Sequence, residues 1–248
     1  MKDYKVISLL VSLDCITKRT KKMLSKRQQN DFIVLDDNFK GYSTRYFNLP
    51  RHYENYLESI LISNGMILDR LHKMAYDIII DYELINVEEI YIICLLKGGF
   101  QFAADLFNKL QSYSCTRSKY IRISIDFISA STYINDSIGH NTKINPCTDM
   151  ERFRNKNVLI AEDLVDTGTS LTNVEEYIRR YNPTSVRTAC LLVKRRPDCP
   201  GYQPDYVGFE VPNRFIVGYA IDYNNYFRDL PHICSVNDEG KREFYDRR

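Results

Sequence analysis

The chain has 248 residues, enough for one globular domain with its own core. A hydrophobic content of 44% and a charged content of 27% exclude a low-complexity or membrane-embedded composition. A net charge of +2 gives no general case for nucleic acid as a partner.

The charge is unevenly placed. Residues 1–30 carry eight lysines and arginines against Asp3 and Asp14, so the remainder of the chain is net negative. Residues 1–31 are therefore expected to form a basic N-terminal extension, and 32–248 the folded domain. The apolar stretch at residues 6–13 is short, closes on Asp14 and lacks a small-residue cleavage site, which makes it a poor signal peptide. No apolar run approaches the roughly 18 residues that span a bilayer. Seven cysteines, odd in number and without a C-x-x-C pair, predict free thiols in a reducing, cytoplasmic setting.

From Asn64, a residue suited to a helix N-cap, the positions Ile67, Leu71, Met74, Ala75 and Ile78 recur at three- and four-residue spacing and predict an amphipathic helix. Residues 90–96 form a continuous apolar run, expected as a strand buried on both faces, and lead into Lys97-Gly98-Gly99. A helix is predicted over 100–110, with Phe102, Ala103, Leu106 and Leu110 on one side, and a strand over 121–127. Residues 129–156 are polar and without sustained period, the pattern of a long functional loop. A strand at 158–161, a helix at 171–181, a strand at 186–193 and short β segments around Val207, Ile216 and Ile233 follow. This alternation predicts an α/β fold, a parallel twisted sheet flanked by helices. In such sheets ligands bind beyond the carboxyl ends of the strands. Lys97, Glu162, Asp163 and Lys194 each follow an apolar strand run there.

The most informative stretch is VLIAEDLVDTGTS, residues 158–170. An apolar run ends in two adjacent carboxylates, Glu162 and Asp163, and a third acid, Asp166, stands before Thr167, Gly168, Thr169 and Ser170. Small hydroxyl residues and a glycine at a helix start form a phosphate cradle, because unpaired N–H groups and the positive end of the helix dipole face the anion. An acid beside such a cradle should repel phosphate, so its presence points to chemistry next to the phosphate. Ionised carboxylates only accept hydrogen bonds, which makes a diol the natural partner of the acid pair. The expected ligand has a diol at one end and a phosphate at the other.

The run EDLVDTGTS resembles the phosphoribosyl-diphosphate signature of type I phosphoribosyltransferases. Four further segments narrow the resemblance: LLKGGF from Leu95, STYIND from Ser131, LLVKRRP from Leu191 and VGFEVPNRFIVGYAIDYNNYFRDL from Val207. In this order they are similar to the hypoxanthine-guanine branch of that family, over roughly residues 32–245. The resemblance implies the type I fold, with a small hood subdomain built from the terminal segments. It implies transfer of the 5-phosphoribosyl group from 5-phosphoribosyl-1-diphosphate to hypoxanthine or guanine, giving IMP or GMP and pyrophosphate. It further implies Mg²⁺ as cofactor and a homodimer or homotetramer.

The same resemblance assigns residues. Asp166 would accept the proton of purine N7, and Glu162 and Asp163 the ribose hydroxyls, directly or through metal. Thr167, Gly168, Thr169 and Ser170 would hold the 5′-phosphate; a familiar version of this loop has lysine at Thr169, so a cation is missing here. Lys97 and Gly98, in a turn with an unusual cis peptide before the lysine, and Arg228 would contact pyrophosphate. Lys194 would donate to purine O6, Phe215 would stack on the base, and Ile216 would contribute backbone contacts. Asp222 would associate with metal and, through its backbone, with the amino group of guanine. Thr132 and Tyr133 would belong to a lid; serine is familiar at the Thr132 position. A competing reading, a nucleotide- or RNA-binding regulatory protein on this fold, draws on the basic extension. Retention of Asp166, Lys194, Arg228 and the acid pair argues against it.

Overall fold

The computed structural model describes residues 32–134, 140–196 and 202–245. Its centre is a seven-stranded sheet. In chain order the strands are β1 (Ile33–Val34), β3 (Glu89–Leu96), β4 (Arg122–Ile134), β5 (His140–Pro146), β6 (Asn157–Val165), β7 (Ser185–Arg195) and β8 (Tyr206–Pro212). Their spatial order is β1-β8-β7-β6-β3-β4-β5. Every neighbouring pair is parallel except β4 with β5.

Alternate residues of a strand face opposite sides, and both sides of this sheet are apolar. Ile90, Ile92 and Cys94 of β3 pack with helices α1 (Asn64–Leu84) and α2 (Phe100–Cys115), through residues such as Leu71, Ile78, Phe102 and Leu106. Tyr91, Ile93 and Leu95 pack on the other face with Leu171, Val174 and Ile178 of α3 (Thr169–Arg179). This double burial explains the unbroken apolar run of β3. A second, antiparallel sheet joins an early strand, β2 (Leu57–Ile62), to two late ones, β10 (Ile233–Val236) and β9 (Ile216–Val217). It has its own core of Tyr53, Ile60, Val217, Phe227 and Cys234 and corresponds to the expected hood. A short helix, α4 (Asp238–Glu243), closes the described chain.

Several boundaries differ from the sequence expectation. Ser63, not Asn64, caps α1, accepting from Met66 N–H at 3.3 Å. Asn64 is engaged by the hood instead: its N–H donates to His232 Nδ1 and its amide to the Pro231 carbonyl. The first described strand begins at Ile33, which pairs with Phe209 at the sheet edge; the expected extension, residues 1–31, lies outside the described residues. α2 continues five residues past its predicted end. The supposed loop 129–156 is largely an arm: β4 runs on to Ile134 and returns antiparallel as β5, with Ser129 opposite Asn145 and Thr132 opposite Thr142. Only part of it meets the core, where Ala130 and Ile144 pack on the cluster that contains Leu171 and Val174 of α3. Thr132 and Tyr133 are thus strand positions, and residues 135–139 lie outside the described residues. Finally, Glu162 and Asp163 do not follow β6 but lie inside it, since pairing with β7 continues to Val165–Val193.

That last difference positions the site. On its other side β6 pairs with β3 only as far as Cys94–Ala161. Beyond Ala161 it has a strand neighbour on one side alone, and a crevice opens where the acids stand.

Candidate active site at the carboxyl ends of the central strands

The crevice is lined by Leu95, Leu96, Gly98, Ala130, Glu162, Leu164, Val165, Asp166, Thr167, Gly168, Ser170 and Leu171. β6 delivers the acids, the turn after β3 delivers Gly98, and the start of α3 delivers the small polar residues. Gly168 has φ +80°, a left-handed conformation that other residues resist, and its carbonyl accepts from Thr172 N–H at 2.9 Å to open α3. The Thr167 and Thr169 hydroxyls are 3.0 Å apart across the turn. No acidic residue occupies the first turn of α3, so the positive end of its dipole is left for an anion.

The acid pair is strained electrostatically. Asp163 is only 8% exposed. Burial, and next the adjacent Asp163 charge, push the Glu162 carboxyl well above the usual carboxylate range. Its folded-state pKa therefore exceeds the unfolded one, and the native chain holds a proton that the unfolded chain has released. Stability falls as pH rises from the ordinary value of 4.5 toward the raised one. Glu162→Gln removes this dependence. In metal-free buffer at pH 7.5 we expect Tm to rise by about 2–4 °C per kcal/mol relieved, and the gain to vanish near pH 4. A gain independent of pH, read by calorimetry, would contradict the strain assignment. Beneath the pair, burial and the Glu162 charge push the Cys94 thiol up to about 12, so it is no nucleophile at neutral pH.

Gly98 touches this pair. The Leu96–Lys97 peptide is cis, and a Cβ at Gly98 would stand 2.1 Å from Asp163 Oδ2. The turn after β3 and the carboxylate of β6 are thus in direct contact, and any side chain at 98 would displace the Asp163 carboxylate. Lys97 itself is exposed at the rim.

Asp166 is held by two cations. Lys194 Nζ donates to its Oδ2 at 3.0 Å and Arg196 to its Oδ1 at 2.7 Å. Burial pushes its pKa up, but the Arg196 and Lys194 hydrogen bonds outweigh this and hold the carboxyl below its usual value. Arg196 was not foreseen, although strand alternation carries the signal: residues 194 and 196 share a face. Arg195 between them turns away, to Glu210, Asp37 and the Leu35 carbonyl.

The remaining candidates sit in and beside the hood. Ile216 is buried in β9, and Phe215 is 40% exposed with its ring edge-on to Tyr223 at 4.8 Å. Asp222 and Arg228 pair with each other at 2.8 Å; Asp222 also accepts from Asn225 N–H, and Arg228 donates to the Ala220 carbonyl. Tyr219, Ala220, Asn224, Asn225 and Phe227 all have positive φ, a concentration of costly backbone in one segment. None of these four candidates lines the crevice around Gly168.

The model of the phosphoribosyl transferase domain matches residues 60–224, which include the crevice and most of the sheet. The chain belongs to the phosphoribosyl transferase family. Within this family it is 43% identical to the hypoxanthine-guanine phosphoribosyltransferase of Schistosoma mansoni over 90% of this chain and 78% of that protein. It is 40% identical to the human protein of the same name over 86% of this chain and 96% of that one. A Xenopus tropicalis protein named phosphoribosyltransferase domain-containing protein 1 is also 40% identical, over 91% of this chain and 99% of that one. The crystal structure of the S. mansoni enzyme in complex with IMP superposes with a TM-score of 0.75, at 40% identity, covering 87% of this chain and all of that one. Relatives of two names thus lie at similar identity, and residue-level chemistry must carry the functional reading.

Proposed function

We propose that the protein is a purine-salvage phosphoribosyltransferase that converts 5-phosphoribosyl-1-diphosphate and hypoxanthine or guanine into IMP or GMP and pyrophosphate. The observation that carries this is the contact of Lys194 with Asp166, three residues after a buried acid pair and two before the Gly168 cradle. A purine-O6 donor and a purine-N7 acceptor must be neighbours, and these two side chains are.

Thr167, Gly168, Thr169 and Ser170 hold the 5′-phosphate through the open start of α3, and Glu162 and Asp163 accept from the ribose hydroxyls. Lys97, Gly98 and Arg228 receive the pyrophosphate. Phe215 stacks on the base, which is worth about 1–3 kcal/mol, while Ile216 and the Asp222 backbone meet its edge. Purine N9 attacks C1′ as the bond from C1′ to the diphosphate oxygen breaks, and the N7 proton passes to Asp166. C1′ becomes oxocarbenium-like, so water must be excluded, a role we give to Thr132 and Tyr133 on the arm.

Among the described residues no group of three or more His, Cys, Asp and Glu side chains is placed to hold a metal. Two adjacent carboxylates nevertheless suit Mg²⁺, which keeps waters and takes its other ligands from substrate oxygens. Glu162 and Asp163 would hold one such ion; Asp222, which pairs with Arg228 outside the crevice, would serve a separate one. Residues at these positions would thereby gain a cation that neutralises charge on the departing pyrophosphate.

Residues 32–248 constitute the catalytic domain in this reading, 1–31 a basic extension, and the working form is a homodimer or homotetramer. The described free cysteines fit a cytoplasmic enzyme, and no described helix is long and apolar enough to cross a membrane. The test is nucleotide formation from Mg²⁺, phosphoribosyl diphosphate and each of hypoxanthine, guanine, xanthine and adenine. We expect turnover of the first two and none of adenine. Folded protein inactive with every base would overturn the enzymatic reading.

A further inference from the structure

Tyr202 is 34 residues beyond Gly168, yet it forms the wall behind it. A Cβ at Gly168 would lie 2.3 Å from Tyr202 Cβ and 3.3 Å from its backbone nitrogen. The ring packs beside the core cluster that contains Leu171, Val174 and Cys190. At its far end the phenol donates to Glu175 Oε2 and lies 3.4 Å from Thr188 Oγ1. Glu175 belongs to α3, where Arg179 Nε holds it at 3.0 Å. Thr188 belongs to β7, and both its N–H and its hydroxyl bond to Asp205 Oδ2, at 2.8 and 3.2 Å. One side chain thereby touches the cradle glycine, the helix that begins there and the strand that carries Lys194.

We propose that Tyr202 is a positioning residue for the 5′-phosphate, fixing the start of α3 against the sheet so that the cradle N–H groups converge on one anion. The inference rests on the phosphoribosyl-diphosphate reading of this crevice. Hydrogen bonds weaken steeply when their angles open, so a cradle free to rock on the sheet loses several bonds in part. Burial and the Glu175 carboxylate keep the phenol protonated, so it remains a donor across the working pH range.

The test uses the full chain and three probes: ribose 5-phosphate, pyrophosphate and hypoxanthine. Tyr202→Phe keeps the ring and removes the anchor. We expect its Kd for ribose 5-phosphate and its KM for phosphoribosyl diphosphate to rise about 5- to 20-fold, a part of what one hydrogen bond to a charged group contributes. Pyrophosphate Kd and hypoxanthine KM should stay within about twofold. Glu175→Gln, which can still accept from the phenol, should bind ribose 5-phosphate nearly as the parent does, whereas Glu175→Ala should reproduce the loss. Unchanged ribose 5-phosphate affinity in folded Tyr202→Phe, or equal weakening of all three probes, would overturn the proposal. Parent protein that binds ribose 5-phosphate but forms no nucleotide would sink the enzymatic reading and leave the role of Tyr202 standing. Parent protein that binds no ribose 5-phosphate would overturn both.

Discussion

Asp166→Asn should lower kcat by about 10²–10⁴-fold, the usual contribution of a positioned acid–base group, while the Kd for phosphoribosyl diphosphate changes by less than about threefold. Asparagine retains the size of the side chain and an oxygen for Lys194 or Arg196, so the geometry survives. What it loses is the capacity to take the N7 proton. The carboxyl is 42% exposed, so its ion pairs contribute little to folding and the variant should remain stable. Single-turnover kinetics with measured diphosphate binding separates the two effects. Unchanged turnover would remove Asp166 from proton transfer, and lost diphosphate binding would make it a ligand instead.

Lys194→Ala should raise the KM for hypoxanthine and guanine by about 10- to 100-fold, since a hydrogen bond from a charged donor is worth about 1.5–3 kcal/mol. The KM for phosphoribosyl diphosphate should move only a few-fold. The Lys194 side chain is 11% exposed and carried by β7, so its ammonium cannot swing far from Asp166. An ammonium donates to a purine carbonyl but cannot accept from the amino group of adenine, so the variant should also discriminate less against adenine. Equal rises for base and sugar diphosphate would contradict the assignment of Lys194 to O6.

The parts of the fold legible in the sequence were those where burial imposes period. β3 reads as a buried strand because helices cover both its faces, and the face of α1 reads directly from Ile67 to Ile78. The β4–β5 arm did not read as strand, because a two-stranded projection satisfies its backbone with little apolar demand on its side chains. The acids of β6 were placed one element too late for a related reason. A strand continues as long as one neighbour pairs with it, and sequence does not show where the other neighbour stops. In the site, the cradle and the acid pair were visible because a glycine, hydroxyls and carboxylates in sequence form one local unit. The Asp163–Gly98 contact and the placement of Tyr202 join distant segments, and nothing in the local pattern announces them. Arg196 is an intermediate case, recoverable from two-residue alternation once Lys194 had been singled out.

The pairing of Asp166 with Lys194 and Arg196, and of Asp222 with Arg228, has an energetic corollary. Each of these carboxylates is neutralised internally before any ligand arrives, so neither needs a mobile counterion. Ligand entry is consequently a trade of partners, in which the free energy released is the difference between new and surrendered contacts. Such a site favours discrimination over raw affinity. A base that offers O6 and N7–H replaces what it displaces, whereas one lacking either leaves a charge without its former mate.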